Sequence, residues 1–516
     1  MKNSDNHKSS EEGQDLNEVT FEDAFEVTGH GRFNHLVLFT SGLIMLNVSM
    51  ESVGVSYVIT SAECELRLTD EHKGLVNAAA FIGIVSTSFL WGYLGDRIGR
   101  RAVMLPAMLA SAIFSIASAF ANDVWTLMIL RIITGCFVSA SSATVYAYLG
   151  EMHANTRRAA AIAWGSAFIS FSFIILPGLA WLIIPGKWSF TILGINITSW
   201  RVFVWSWCAP GLAAAAILFI LPESPRFLLA SKGPEAALPV LAKMYSWNHW
   251  TSADNYPVEK VTTIGDAEAF KTGGFAGALK NFTHIFRPPL LRCVIISHMS
   301  MFAVFMLSSG LYMWVPEVIN DILQSKSERS ISICEIISEK TRNESLARSL
   351  SQPVFCNSHV SVGVFPISMA MGAVFAITYL AIGVFINRIG KKALYNGIMF
   401  ICGVATIAAG FVPQGGAATA LLILALCAGC AASILAAIAV DVFPTSLRAM
   451  AMCVMYMVGR GGAAVGSYLL GIILQTHCEL AFTVFGAFSA GSTLLMLFWP
   501  EPQKIRDEME ERGLSY

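Results

Sequence analysis

Twelve stretches of about twenty predominantly apolar residues recur along the chain, and no other feature restricts its fold so strongly. A helix rises about 1.5 Å per residue, so each stretch matches a hydrocarbon layer about 30 Å thick. Lipid offers no hydrogen-bond partner to the backbone, and a helix satisfies its own amides. The spans read near 35–59, 74–95, 102–121, 125–149, 158–183 and 200–221, then near 291–319, 361–386, 393–412, 417–440, 448–474 and 480–499. Apolar residues make up 55% of the chain and charged residues 13%; a soluble protein of 516 residues would need far more charge to cover its surface.

The expected fold is therefore an all-α membrane protein of two six-helix bundles. The segments are 1–34, an N-terminal segment; 35–221, the first bundle; 222–290, a linker; 291–499, the second bundle; and 500–516, a tail. The linker is polar and punctuated by Pro, Gly and Lys, with Pro234–Tyr245 a candidate amphipathic helix. The first thirty residues are polar and acidic, unlike a cleaved leader. A net charge of −1 argues against a nucleic-acid partner. Cys427 and Cys430, inside an apolar run with no second ligand pair, read as buried thiols rather than zinc ligands. No metal or other cofactor is expected.

Basic residues set the orientation. Arg97, Arg100 and Arg101 follow the second span, Arg157 and Arg158 the fourth, Arg388, Lys391 and Lys392 the eighth, and Arg448 the tenth. The positive-inside rule makes that side cytosolic, together with both termini. The 7–8 loop, 320–360, then lies on the luminal or extracellular side. Its Asn343-Glu-Ser345 is a glycosylation sequon, and Cys334 and Cys356 could pair in that oxidising compartment. Asn281-Phe-Thr283 is expected to stay bare in the cytosol. Asn47 lies inside a span, and Asn196 lies close to the membrane.

An internal repeat supports six plus six. Gly92-Tyr-Leu-Gly-Asp96-Arg97-Ile-Gly99-Arg100-Arg101 recurs as Gly383-Val-Phe-Ile-Asn387-Arg388-Ile-Gly390-Lys391-Lys392, and Glu151 with Arg158 recurs as Asp441 with Arg448. The offsets are 387 − 96 = 291 and 441 − 151 = 290, which points to one duplication. The charged loops read as a cytosolic latch made of Asp96, Arg97, Arg101, Glu151, Arg158, Glu223 and Arg226 in one half and Arg388, Asp441 and Arg448 in the other, with Arg158 expected to partner Asp96.

These motifs resemble those of the major facilitator superfamily, whose parallel repeats place a substrate site near the midplane between halves. Leu221-Pro-Glu223-Ser-Pro-Arg226-Phe resembles the signature that sugar and organic-ion porters carry after the sixth span. Trp499-Pro-Glu501 resembles its second-half counterpart, and Arg131-x-x-x-Gly135 another superfamily motif. A narrower resemblance, to the synaptic vesicle glycoprotein 2 and synaptic-vesicle-two-related group, rests on Phe21–Phe33, Ser61-Ala-Glu63, Ala180–Pro185 and Ser199-Trp-Arg-Val-Phe203. Trp164 and Trp314 fall where that group has pocket tryptophans, and Glu51 matches the second acid of its first span. Val48, Ala432 and Ala436 depart from its pattern, and the 7–8 loop is far shorter than the vertebrate members' luminal domain.

An ionisable group at the centre of a span costs about 2.5–3.5 kcal/mol on insertion scales, so those present are the best site candidates. They are Glu51, Arg131 and Arg460, each with the alternative of a structural pair. Arg460, followed by two glycines, suits a carboxylate or phosphate. Glu51 suits proton uptake and release, or pairing with a cationic substrate. Tyr146, Trp164 and Trp314 are candidates for an aromatic pocket, or helix packing, and His298 for a proton relay.

No catalytic constellation or P-loop is present, so the expectation is not an enzyme and not an ATP-driven pump. The resemblance implies a monomeric secondary transporter of a small organic ion or sugar-like solute, coupled to protons, in the plasma membrane or a vesicle membrane. The rival is a non-transporting vesicle receptor or scaffold that keeps the fold.

Overall fold

The computed structural model describes residues 18–186, 189–192, 194–262, 286–325, 332–349, 360–443, 445–500, 503–505 and 508. Among them, eleven helices are long and apolar enough to cross a membrane. The first six spans are Arg32–Leu66, Asp70–Ile98, Arg100–Ser118, Val124–Glu151, Asn155–Ile183 and Ser199–Ile220. The seventh to tenth are Leu290–Gln324, Val364–Ile386, Lys391–Phe411 and Gly415–Val440, and Cys478–Leu497 is the last. The 29-residue helix Thr445–Ile473 takes the eleventh place and completes twelve.

The repeat seen in the sequence governs where helices turn. Gly99 (φ 122°) separates the second span from the third, and Gly390 (φ 91°) separates the eighth from the ninth. Only glycine adopts such backbone readily, so each copy of the motif ends one helix and starts the next within a residue. Close helix approach has its own signal. A Cβ on Gly135 would lie 2.2 Å from Ala80 O, and one on Gly83 would lie 2.1 Å from Ile132 O. The glycine of Arg131-x-x-x-Gly135 thus lets the second and fourth spans pack backbone to backbone.

The halves meet along two seams, the second span against the eleventh and the fifth against the eighth. On the face that carries the turns at Gly99 and Gly390, here the loop end, Glu18–Thr20 pairs in parallel with Lys260–Thr262. Thr20 caps the helix Phe21–Val27 by accepting from the Asp23 amide, and its hydroxyl donates to the Asp23 carboxylate. The candidate amphipathic helix of the linker runs Pro234–His249, one turn longer than expected.

Two features of the opposite face, the plug end, differ from expectation. The 7–8 loop holds a helix, Ile333–Ser349, which its polarity concealed. Cys334 is bonded not to Cys356 but to Cys478, at the start of the twelfth span (Cα–Cα 5.4 Å). Helix packing brings together two cysteines 144 residues apart. Cys64 is also disulfide-bonded. Cys356 lies outside the described residues, as do the sequon Asn281-Phe-Thr283 and the side chain of Asn343.

Candidate functional site

At the loop end the motif residues fasten helix termini. Glu223 accepts from the amides of Arg101 (3.0 Å) and Ala102 (3.1 Å), capping the third span. In return Arg101 donates to Leu218 O (2.9 Å) and Phe219 O (3.0 Å), capping the sixth. A Cβ on Gly99 would sit 2.4 Å from Glu223 Oε2, so the glycine also makes room for the carboxylate. Arg226 Nη2 reaches Glu22 Oε2 (3.0 Å) and Asn155 Oδ1 (3.2 Å), holding the N-terminal helix on the bundle.

The latch ions pair differently from expectation. Asp96 binds Arg100 (3.0 Å), which also binds Glu151 (3.1 Å) and donates to Gly95 O (3.2 Å). Arg158 is exposed and lies over Gly150 rather than on Asp96. Asp96 stands in the last turn of the second span and Arg100 opens the third, so the turn at Gly99 folds the two charges together. The second half repeats the device: Lys391 binds Asp441 (2.6 Å), and Lys392 reaches Trp499 O (3.2 Å). Arg97 lies over the Tyr93 ring (5.8 Å), Arg388 is exposed, and the Arg448 side chain is outside the described set. The pairs Arg100–Asp96, Arg100–Glu151, Arg226–Glu22 and Lys391–Asp441 each stay within one half.

The plug end is tied across the halves. Lys73 Nζ, buried, lies 2.6 Å from Glu317 Oε1, 2.9 Å from Glu63 Oε1 and 3.4 Å from Asp70 Oδ1. Beneath it Phe173 of the fifth span meets Tyr312 and Phe375 of the second half, each at 5.0 Å between rings. Tyr57 stacks on Phe365. Burial of a lysine demands paired carboxylates, and three are supplied. The structure is closed at this end.

At mid-depth the charged groups separate into two sites. Glu51 and Arg131 form a closed network inside the first bundle, 2% and 1% exposed, at 3.0 Å. Ser115 donates to Glu51 (2.9 Å) and accepts from Arg131 (2.8 Å), while Ser118 accepts from Arg131 (2.9 Å). Trp207 donates to Ser115 (3.1 Å), and Cys208 Sγ lies 3.6 Å from Glu51. Arg460 is the contrasting case. It projects from the eleventh span and donates to Ser142 Oγ of the fourth at 2.9 Å, across the interface between halves. Its titratable neighbours are Tyr146, Tyr456 and Cys453, and among the described residues no carboxylate pairs with it. Tyr146 is 37% exposed and Cys453 is exposed, one helical turn and two turns from the bond that joins the halves. Gly461 faces open space, whereas Gly462 packs on Phe302 of the seventh span.

The aromatic candidates divide. Tyr146 stands beside Arg460. Trp164, 69% exposed, shares a stripe with Phe171, Ile175 and Leu182. At 100° per residue that stripe lies opposite Phe173, so Trp164 faces outward. Trp314 is buried and donates to Ser467 O (2.9 Å), packing the seventh span on the eleventh. His298 is also buried, with Nδ1 3.1 Å from Ser297 Oγ.

Sequence reasoning passed over Lys73, Glu317, Ser142, Arg100 and Lys391 as site residues. Lys73 immediately precedes the span read at 74–95, and Glu317 lies at the end of the span read at 291–319. The available signal was the placement of both within a turn of a span, where an unpaired charge is costly.

A family model described as Major Facilitator Superfamily matches residues 36–337 and 346–513. Synaptic vesicle glycoprotein 2A of Rattus norvegicus is 31% identical over 246 residues, 47% of this chain and 33% of that protein. The Bos taurus counterpart is 29% identical over 316 residues, 57% of this chain and 43% of its own. The chain thus aligns with less than half the length of these relatives. Among solved structures, the inward-open conformation of the xylose transporter XylE from E. coli superposes with a TM-score of 0.65 at 17% identity, covering 94% of this chain and 99% of that one.

Proposed function

Because this chain belongs to the Major Facilitator Superfamily, we propose that it is a proton-coupled secondary transporter of a small organic anion, working by alternating access. It is a multi-pass membrane protein of the major facilitator fold. The observation that carries the anion reading is Arg460, a cation at the interface between halves whose neighbours are hydroxyls, a thiol and aromatic rings. A guanidinium there keeps its charge at working pH and offers paired donors to a carboxylate, sulfonate or phosphate. Ser142 and Tyr146 add neutral hydrogen-bonding groups on the opposing half.

Alternating access is supported by the asymmetry of the contacts. The plug end holds an ion pair between halves, whereas the described ion pairs of the loop end remain within each half. The basic loops assign the loop end to the cytosol, and the Cys334–Cys478 bond at the other end fits an oxidising compartment. On that orientation the state described faces inward, with both termini cytosolic, in a plasma or vesicle membrane. Protonation of Glu51 would release Arg131 and the hydroxyls bound to it, loosening the packing of the first, third, fourth and sixth spans. That gives proton movement a mechanical consequence.

Uptake into proteoliposomes of the full chain tests the reading, with organic anions, organic cations and sugars offered with and without an inward proton gradient. Proton-stimulated accumulation of an anion is expected. Accumulation of a cation or a sugar by an Arg460→Ala variant at the native rate would remove the basis of the proposal.

A further inference from the structure

We propose that the outer surface of the Pro234–His249 helix, together with the start of the first span, binds the headgroup of an anionic phospholipid. The inference rests on the twelve-span architecture and is independent of the transported substrate.

The membrane level is marked by backbone. Lys243 donates to Ile220 O (2.8 Å) at the last residue of the sixth span, where Phe219 and Ile220 are exposed. Arg32 is the first residue of the first span. Two turns further on, Phe39 is exposed on the same side of that helix, at the spacing that carries acyl-facing residues down from a headgroup. The Lys243–Trp250 end of the helix is therefore held at the level where the first and sixth spans begin and end.

Between these markers is a cavity of about 450 Å³ lined by Arg32, Ser246, Trp247, Trp250 and Thr251. The Arg32 guanidinium carbon lies over the Trp250 ring, 3.2 Å from its centroid, and Lys243 lies 5.4 Å from that of Trp247. A guanidinium stacked on an indole keeps its edge N–H groups free for a phosphate. Arg32 has no carboxylate partner among the described residues, and the carboxylate of Asp254, in the turn that follows, is engaged by Ser252. Trp250 is 72% exposed and ends the helix as its left-handed cap (φ 57°), its amide donating to Ser246 O, which turns the indole out toward Arg32. A basic group, indoles and hydroxyls at the depth of the polar interface are the recognition chemistry of an anionic headgroup, with tryptophan anchoring the zwitterionic layer around it.

Native mass spectrometry of the detergent-purified full chain tests this, with phosphatidylserine and phosphatidylcholine titrated in parallel and inorganic phosphate as a third arm. Phosphatidylserine should be retained in preference to phosphatidylcholine, with phosphate alone failing to displace it. Arg32→Gln should weaken that preference about fivefold, the effect of one basic residue at a membrane surface. Trp250→Ala, at an exposed position, should do the same while the thermal melt stays native, so misfolding cannot imitate the result. Equal retention of both lipids, or a preference unchanged in both variants, would overturn the site. Displacement by phosphate would also overturn it, by showing an anion site without lipid recognition.

Discussion

Lys73 and Glu317 meet at 2.6 Å from positions 244 residues apart, one on each half of the molecule. Glu63 and Asp70 complete the surroundings of the ammonium from its own half. An ion pair that bridges two bodies must break if they are to part. On the alternating-access proposal the pair would act as a lock on the plug end, and its strength would bias the balance between states.

Lys73→Gln should cost the plug-closed state about 3–5 kcal/mol, since it leaves carboxylates buried without their cation. Glu317→Gln should cost less, about 1–3 kcal/mol, because two acids still hold Lys73. Distances between spin labels on the plug ends of the two bundles should lengthen in both variants, more in the first. Unchanged distributions would rule out a lock.

Glu51→Gln should abolish proton-driven accumulation and spare exchange, since the glutamine cannot cycle a proton. Arg131→Ala should lower stability by about 3–5 kcal/mol, the cost of stranding a buried charge. Parallel measurement of uptake and thermal melting separates the two. Normal proton-driven uptake by a folded Glu51→Gln protein would exclude the coupling role.

Arg460→Lys keeps the charge and loses the planar pair of donors. An anionic substrate should bind about tenfold more weakly, with the melting temperature little changed. Ligand-induced stabilisation of purified protein reads this directly. Native affinity in the lysine variant would show that only charge matters there.

His153 lies between the fourth and fifth spans, buried, with Nδ1 2.8 Å from Leu149 O. Burial lowers its pKa to about 4, with His30 and His35 adding a smaller push in the same direction. The unfolded chain takes up the proton near its ordinary pKa of about 6.5, before the folded one does. Stability from this group is thus full above about pH 6.5 and falls as pH drops toward 4, by up to about 3 kcal/mol. His153→Asn should flatten the melting-temperature profile between pH 7 and 5, which a profile identical to the parent's would contradict.

Peptide mapping under non-reducing conditions should recover Cys334 linked to Cys478. Asn343, in the same loop, should carry a glycan and Asn281 none. A glycan on Asn281 would invert the orientation proposed here, whatever the fate of the disulfide.

Lipid acts on one helix at a time, so the sequence alone determined the spans, their number and their six-plus-six repeat. Each window of about twenty residues had to satisfy its own backbone and present apolar side chains, wherever its neighbours lay. The duplicated loops were legible for a similar reason, because Gly99 and Gly390 are required by local backbone geometry. Partnership was not legible. Arg460 read as a site residue because a midplane charge is rare, yet nothing local said that it would reach Ser142 while Arg131 closed on Glu51. Trp164 and Tyr146 both read as pocket aromatics, and only the rotation of their helices turned one outward and the other to Arg460. Lys73, one residue outside the second span as read from sequence, became the link between halves once helix packing brought Glu317 beside it. Pairing depends on helix rotation and crossing, which arise from contacts between residues tens to hundreds of positions apart, and only the tertiary structure fixes them.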